Sequence, residues 1–190
     1  GEAPPALREL LVPGAGDLPK LMLQAPDGAR TEIYLYGAHV TSWIPAGGEE
    51  RLFLSRMSAF KPGSPIRGGV PLVWPQFGMT GPLPLHGIVR LQPWELAAVD
   101  VKDGRLTATL RLADSEATRA VWGQAFRTEL AVTAGGSELA IALSAANTGA
   151  IRRQTLNYPA DSYGALGNNR AAWLNFNRLR YAEQISNGKK

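Results

Sequence analysis

Arg67, His86 and Arg90 fall inside one stretch, residues 64–96, which reads SPIRGGVPLVWPQFGMTGPLPLHGIVRLQPWEL. An arginine presents a planar fork of donors that pairs two oxygens of a phosphate or carboxylate at once. A histidine titrates near neutral pH and suits general acid–base work or hydrogen bonding to a hydroxyl. Together these types could serve an anionic ligand. Gly68-Gly69 carries no side-chain bulk beside Arg67, so a ligand could approach the backbone there. The plainer alternative is two surface arginines flanking an ordinary Gly-Gly turn, with a structural histidine between them. Proline and glycine are too dense here for a helix interior, so the stretch reads as loop and short strand.

The elements that must position these residues are strands. Thr31 to Trp43 is rich in aromatic and β-branched residues, which suit a pleated, half-buried surface. From Arg105 to Leu112, Leu106, Ala108, Leu110 and Leu112 share one face. Phe126, Thr128, Leu130 and Val132 form a second such face, and Leu139, Ile141 and Leu143 a third. Period-two alternation of this kind predicts strands with one buried side. Asp103-Gly104 and Gly135-Gly136 are placed as hairpin turns between these runs. Asp114 to Arg119 predicts one helical turn capped by Asp114. The fold class is all-β, an antiparallel sandwich.

Bulk composition sets the limits. The chain has 190 residues, 45% hydrophobic and 19% charged, which fits one domain with a sizeable core. It has no cysteine and two histidines, which excludes disulfides and thiolate metal sites. No apolar run reaches the roughly 20 residues of a membrane span. The start, GEAPPALREL, lacks a basic region followed by an apolar one. A cytoplasmic location is expected.

The net charge of +4 is unevenly placed. Residues 1–150 hold 13 basic and 14 acidic side chains, whereas residues 151–190 hold 7 and 2. Asparagine occurs once before position 150, as Asn147, and six times after it. Three segments follow: a leader, 1–20; a β-sandwich part, 21–150; and an atypical basic tail, 151–190. Arg170 to Ile185 has helical spacing of Trp173, Phe176 and Leu179.

IRGGVPLVWPQFG, HGIVR and PWEL resemble motifs of the hexose-6-phosphate 1-epimerase family, relatives of galactose mutarotase. The likeness extends from Leu21 through YLYGAHVTSW, LFLS, DSEATRA and FRTEL to Asn147-Thr148-Gly149. It implies a galactose-mutarotase-like sandwich, incomplete relative to the family, and interconversion of the α and β anomers of an aldohexose 6-phosphate. No cofactor or metal is implied. By the same resemblance Arg67 and Arg90 contact the phosphorylated substrate and His86 lines the sugar site. Leu85 and Val89 depart from the family's frequent glutamine and alanine. His39 is expected to pack or bond within the sheet. Trp74, Phe77 and Trp94 could wall a sugar ring, with core packing the expected role for at least two of them.

The family's acid is a second histidine after the NTG-like strand end, and its base a glutamate far toward the C-terminus. Here no histidine follows His86, and Asp161 and Glu183 are the acidic residues after position 150. No catalytic residue is recognisable. Two other readings stand beside the enzyme: a sugar-phosphate-binding remnant without catalysis, and an acidic-partner or nucleic-acid binder acting through the basic tail. A half sandwich would also leave sheet edges open to self-association.

Overall fold

A computed structural model of the protein describes Leu7 and residues 9–149. Two four-stranded antiparallel sheets form from consecutive strands. The first holds β1 (Leu11–Pro13), β2 (Pro19–Gln24), β3 (Arg30–Tyr34) and β4 (His39–Ile44). The second holds β5 (Glu95–Lys102), β6 (Arg105–Ala113), β7 (Phe126–Gly135) and β8 (Glu138–Asn147).

The alternation read from the sequence is the burial pattern of the second sheet. Leu110 pairs with Leu130, and Leu130 with Leu143. Leu106, Ala108, Leu110, Phe126, Leu130, Val132, Leu139 and Ile141 are buried, and they share one core with Leu21, Ile33, Val40 and Trp43 of the first sheet. Removing these faces from water supplies the main driving force for the two sheets to stack. The sheets are also tied at one end. Ala46 N donates to Gly136 O at 2.9 Å, and Gly136 N donates to the Asp27 carboxylate.

Several sequence expectations need correction. Residues 11–13, inside the stretch read as a leader, pair with β2. The second hairpin turn is displaced by one residue. Gly135 pairs with Glu138, so the loop is Gly136-Ser137. The helical turn, α1, spans Glu116–Val121, and its N-cap is Ser115, in a reciprocal capping box with Thr118. Asp114 instead accepts from Phe126 N at 2.9 Å and from the Arg119 side chain. Serine outcompetes it because the box satisfies two helix-end groups at once. The first hairpin is as expected: Asp103 and Gly104 both have positive φ, 51° and 73°, as a tight two-residue turn requires.

No helix among the described residues is long and apolar enough to cross a membrane. The tail, with Arg170 to Ile185, Asp161 and Glu183, lies outside the described residues.

Candidate functional site

One short segment, Leu35 to Val40, organises the region. On one side it receives the chain after Arg90. Gly37 N donates to Gln92 O at 2.7 Å, Trp94 N donates to Leu35 O at 2.8 Å, and Tyr36 bridges to Pro93. On the other side it receives the chain after Arg67: Val70 N donates to Val40 O at 2.8 Å. The two arginine loops, 23 positions apart in number (67 to 90), are therefore docked on the same few residues.

Arg67 is exposed and its backbone is held on both sides. Ser55 N donates to Arg67 O at 2.9 Å, and Arg67 N donates to Ser58 Oγ at 2.8 Å. Gly68 and Gly69 both have positive φ, 95° and 60°. A Cβ on Gly68 would stand 2.3 Å from Phe53 O, and one on Gly69 2.3 Å from Val40 O. The glycines thus make room for the protein's own backbone at Phe53 and Val40.

Arg90 sits on a 3-10 turn, Val89–Leu91. Its Nη2 donates to Leu85 O at 2.9 Å. Burial, and then the neighbouring Arg67 charge, lower its pKa, while Tyr36 acts the other way. The charge of Arg90 also acts on His39, His86 and Tyr36. Arg90 is the electrostatic centre of the group.

His86 is half-buried with φ of 66°. Its amide donates to Gly78 O at 3.0 Å, and its Nδ1 accepts from Gly78 N at 3.1 Å. An accepting Nδ1 puts the proton of the neutral ring on Nε2. Burial, followed by the Arg90 charge, lowers the pKa below the usual 6.5. The ring at neutral pH is therefore neutral, with its proton on Nε2, and poorly suited to act as a charged acid. The Phe77 ring lies edge-on to it at 5.5 Å. Trp74 and Trp94 are buried in the core, Trp94 donating through Nε1 to Val89 O at 3.1 Å.

Three residues gain roles that the sequence did not signal. Gln76 is buried and staples the loop carrying His86, donating to Leu83 O at 2.9 Å and accepting from Leu83 N at 2.9 Å. Ser58 brackets Arg67. Tyr36 is buried among Leu18, Tyr34 and Ile66. Among the described residues, Tyr36 Oη and Arg90 Nε are the buried side-chain polar atoms left without a hydrogen-bond partner. The Gly63 backbone lies near the Tyr36 hydroxyl without forming a well-shaped bond. Burial raises the Tyr36 pKa, so the phenol keeps its proton as a donor.

A model of the family described as aldose 1-epimerase matches residues 19–163, most of the chain. The chain belongs to the aldose 1-epimerase family. Among its relatives, a provisionally named glucose-6-phosphate 1-epimerase of Salmonella typhimurium is 42% identical over 112 residues, 58% of this chain and 38% of that protein. One of Escherichia coli is 45% identical over 99 residues, 51% of this chain and 34% of that protein. One of Cenchrus ciliaris is 44% identical over 95 residues, 50% of this chain and 29% of that protein. The match thus spans about a third of the relatives' length. A solved structure of a provisionally named mutarotase from Salmonella typhimurium superposes with a TM-score of 0.64 at 38% identity, covering 70% of this chain and 45% of that one. A Synechocystis protein gives 0.62 at 26% identity, covering 68% and 49%.

Proposed function

We propose that this aldose 1-epimerase family member acts on a hexose 6-phosphate, and that Arg67, His86 and Arg90 form the substrate-binding side of the site. The observation that carries this reading is the convergence on Arg90. Arg67, the protonated phenol of Tyr36 and the neutral ring of His86 all lie within electrostatic range of Arg90, and the described region's unpartnered buried polar atoms belong to Tyr36 and Arg90. Like charges held together and buried donors without acceptors are costly. A bound anion relieves both costs. The names of the relatives, glucose-6-phosphate 1-epimerase, support the same substrate class.

The reaction is a proton relay. A base takes the proton of the anomeric hydroxyl, the C1–O5 bond breaks as the carbonyl forms, and an acid protonates O5. Rotation about C1–C2 turns the aldehyde face, and reversal of the steps closes the other anomer. Arg67 and Arg90 would hold the phosphate and His86 would donate to a sugar hydroxyl. None of the three is assigned as acid or base.

A second reading, binding without catalysis, is favoured by His86 itself: burial and the Arg90 charge lower its pKa, so the ring stays neutral and is poorly suited to act as a charged acid. Anomer exchange in glucose 6-phosphate, followed by NMR magnetisation transfer with and without the chain, separates the two. Exchange faster than the spontaneous rate, and suppressed by inorganic phosphate, supports the epimerase. Phosphate-competed binding without acceleration supports the binding module. Equal affinity for glucose and glucose 6-phosphate refutes both.

A further inference from the structure

Arg67 is exposed, yet its main chain is held by a cradle made from the turn at residues 55–58. Ser58 Oγ accepts from Arg67 N at 2.8 Å and donates to Arg67 O at 3.2 Å. Ser55 N donates to the same carbonyl at 2.9 Å. The cradle is itself closed: Ser58 N donates to Ser55 O at 3.2 Å, and Met57 N to Ser55 Oγ at 3.1 Å. On the far side, Gly68 O pairs with His39 Nε2 at 2.6 Å and Gly69 N donates to Phe53 O at 2.7 Å.

The Ser58 hydroxyl is half-buried. Both of its bonds go to the backbone of one residue, so its hydroxyl does for Arg67 what a neighbouring strand would otherwise do. A long, exposed arginine pays for binding with lost rotamer freedom. Fixing its Cα confines that freedom to the side chain. A bidentate contact to a phosphate demands such placement, because the planar fork loses alignment when its base moves.

We infer that Ser58 is a positioning residue for Arg67, setting the arginine's reach toward the anionic group of the substrate. This rests on the reading that Arg67 binds that anion. Ser58 does not touch the substrate; it acts through the Arg67 main chain.

The test is binding of inorganic phosphate to the full chain, followed by phosphorus NMR titration. Melting temperatures without phosphate establish that each variant is folded. The variants are Ser58→Ala, Ser58→Thr, Arg67→Ala and the Ser58→Ala/Arg67→Ala pair. Loss of one hydrogen bond that aligns a charged group predicts about three- to tenfold weaker binding for Ser58→Ala. Ser58→Thr keeps the hydroxyl and restores affinity. Arg67→Ala weakens binding more than Ser58→Ala, and the pair binds no more weakly than Arg67→Ala alone, since a residue acting through Arg67 has nothing left to act on. Wild-type affinity in Ser58→Ala overturns the inference. So does a pair whose losses multiply, which would mark a general structural role. Wild-type affinity in Arg67→Ala overturns the reading of Arg67 as an anion ligand, and the role of Ser58 with it. If Ser58→Ala does not fold, Ser58→Cys replaces it, with the same outcomes.

Discussion

His39 Nε2 donates to the carbonyl of Gly68 at 2.6 Å, joining the first residue of β4 to the turn that follows Arg67. A carbonyl only accepts, so this bond fixes the ring's proton on Nε2. The ring is buried, and a Cβ on Gly69 would sit 3.0 Å from the same nitrogen. Burial, helped by the Arg90 charge and opposed by the bond to Gly68, holds the His39 pKa down at about 4.

A pH dependence of stability follows. The unfolded chain takes up this proton near pH 6.5 and the folded chain near 4. Between those values the unfolded state binds more protons, so stability falls as pH drops from about 6.5 to about 4. The stabilisation is fully present above 6.5, and about 3 kcal/mol of it is lost below 4. His86 is shifted in the same direction and adds to the slope. Urea unfolding at a series of pH values is expected to show this decline in the wild type and a shallower one in His39→Gln. An unchanged slope in His39→Gln would show that His39 does not carry it.

Tyr36→Phe tests the buried hydroxyl with two readouts of opposite sign. In phosphate-free buffer the hydroxyl has no hydrogen-bond partner, so its removal leaves stability equal or raises it by about 1 kcal/mol. In phosphate, where the hydroxyl has an anion to serve, affinity is expected to fall several-fold. Thermal melts with and without phosphate measure both. A variant that loses stability without phosphate and binds phosphate as well as the wild type would make Tyr36 a packing residue.

The contrast between what the sequence disclosed and what it did not has a physical pattern. Period-two alternation placed β6, β7 and β8 correctly because each buries one face against the same core. Asp103-Gly104 was legible because a two-residue turn tolerates few residue types. Gly135-Gly136 was misplaced by one position because two adjacent glycines leave the turn's centre unmarked. Ser115 and Asp114 are both good caps, and only the partner Thr118 decides between them. Arg67, His86 and Arg90 stood out by residue type within recognisable motifs. Their supports did not. Tyr36, Gln76 and Ser58 act through bonds or burial that depend on loop paths with no periodicity, and YLYG reads simply as strand.

Gly37→Ala is expected to disturb the site from behind. Gly37 has φ of 76°, and a Cβ there would lie 2.5 Å from Arg90 O. The substitution combines left-handed strain with a backbone clash, so a loss of about 2–3 kcal/mol is expected. Gly28→Ala is the control. Its φ is 91°, but its Cβ would meet nothing within 4 Å, so strain alone applies, about 1 kcal/mol. Denaturant midpoints compare the two, and phosphate affinity should fall only in Gly37→Ala. Equal effects of the two changes on both measurements would mean that the Arg90 turn gives way without consequence.

Arg90→Lys separates charge from geometry. The lysine keeps a positive charge but replaces the planar fork with a single ammonium. It cannot hold Leu85 O, as Nη2 now does at 2.9 Å, and still present parallel donors to an anion. If Arg90 acts chiefly as a point charge, phosphate affinity should change little and its salt dependence should persist. If the fork matters, affinity should fall at least about tenfold, equivalent to about 1.4 kcal/mol, with the charge unchanged. The second outcome is expected, because the guanidinium is already committed at one edge and its Nε is buried without a partner. Isothermal titration with inorganic phosphate at two salt concentrations distinguishes them. Retained affinity with an unaltered salt slope would reduce Arg90 to a source of potential rather than a directional ligand.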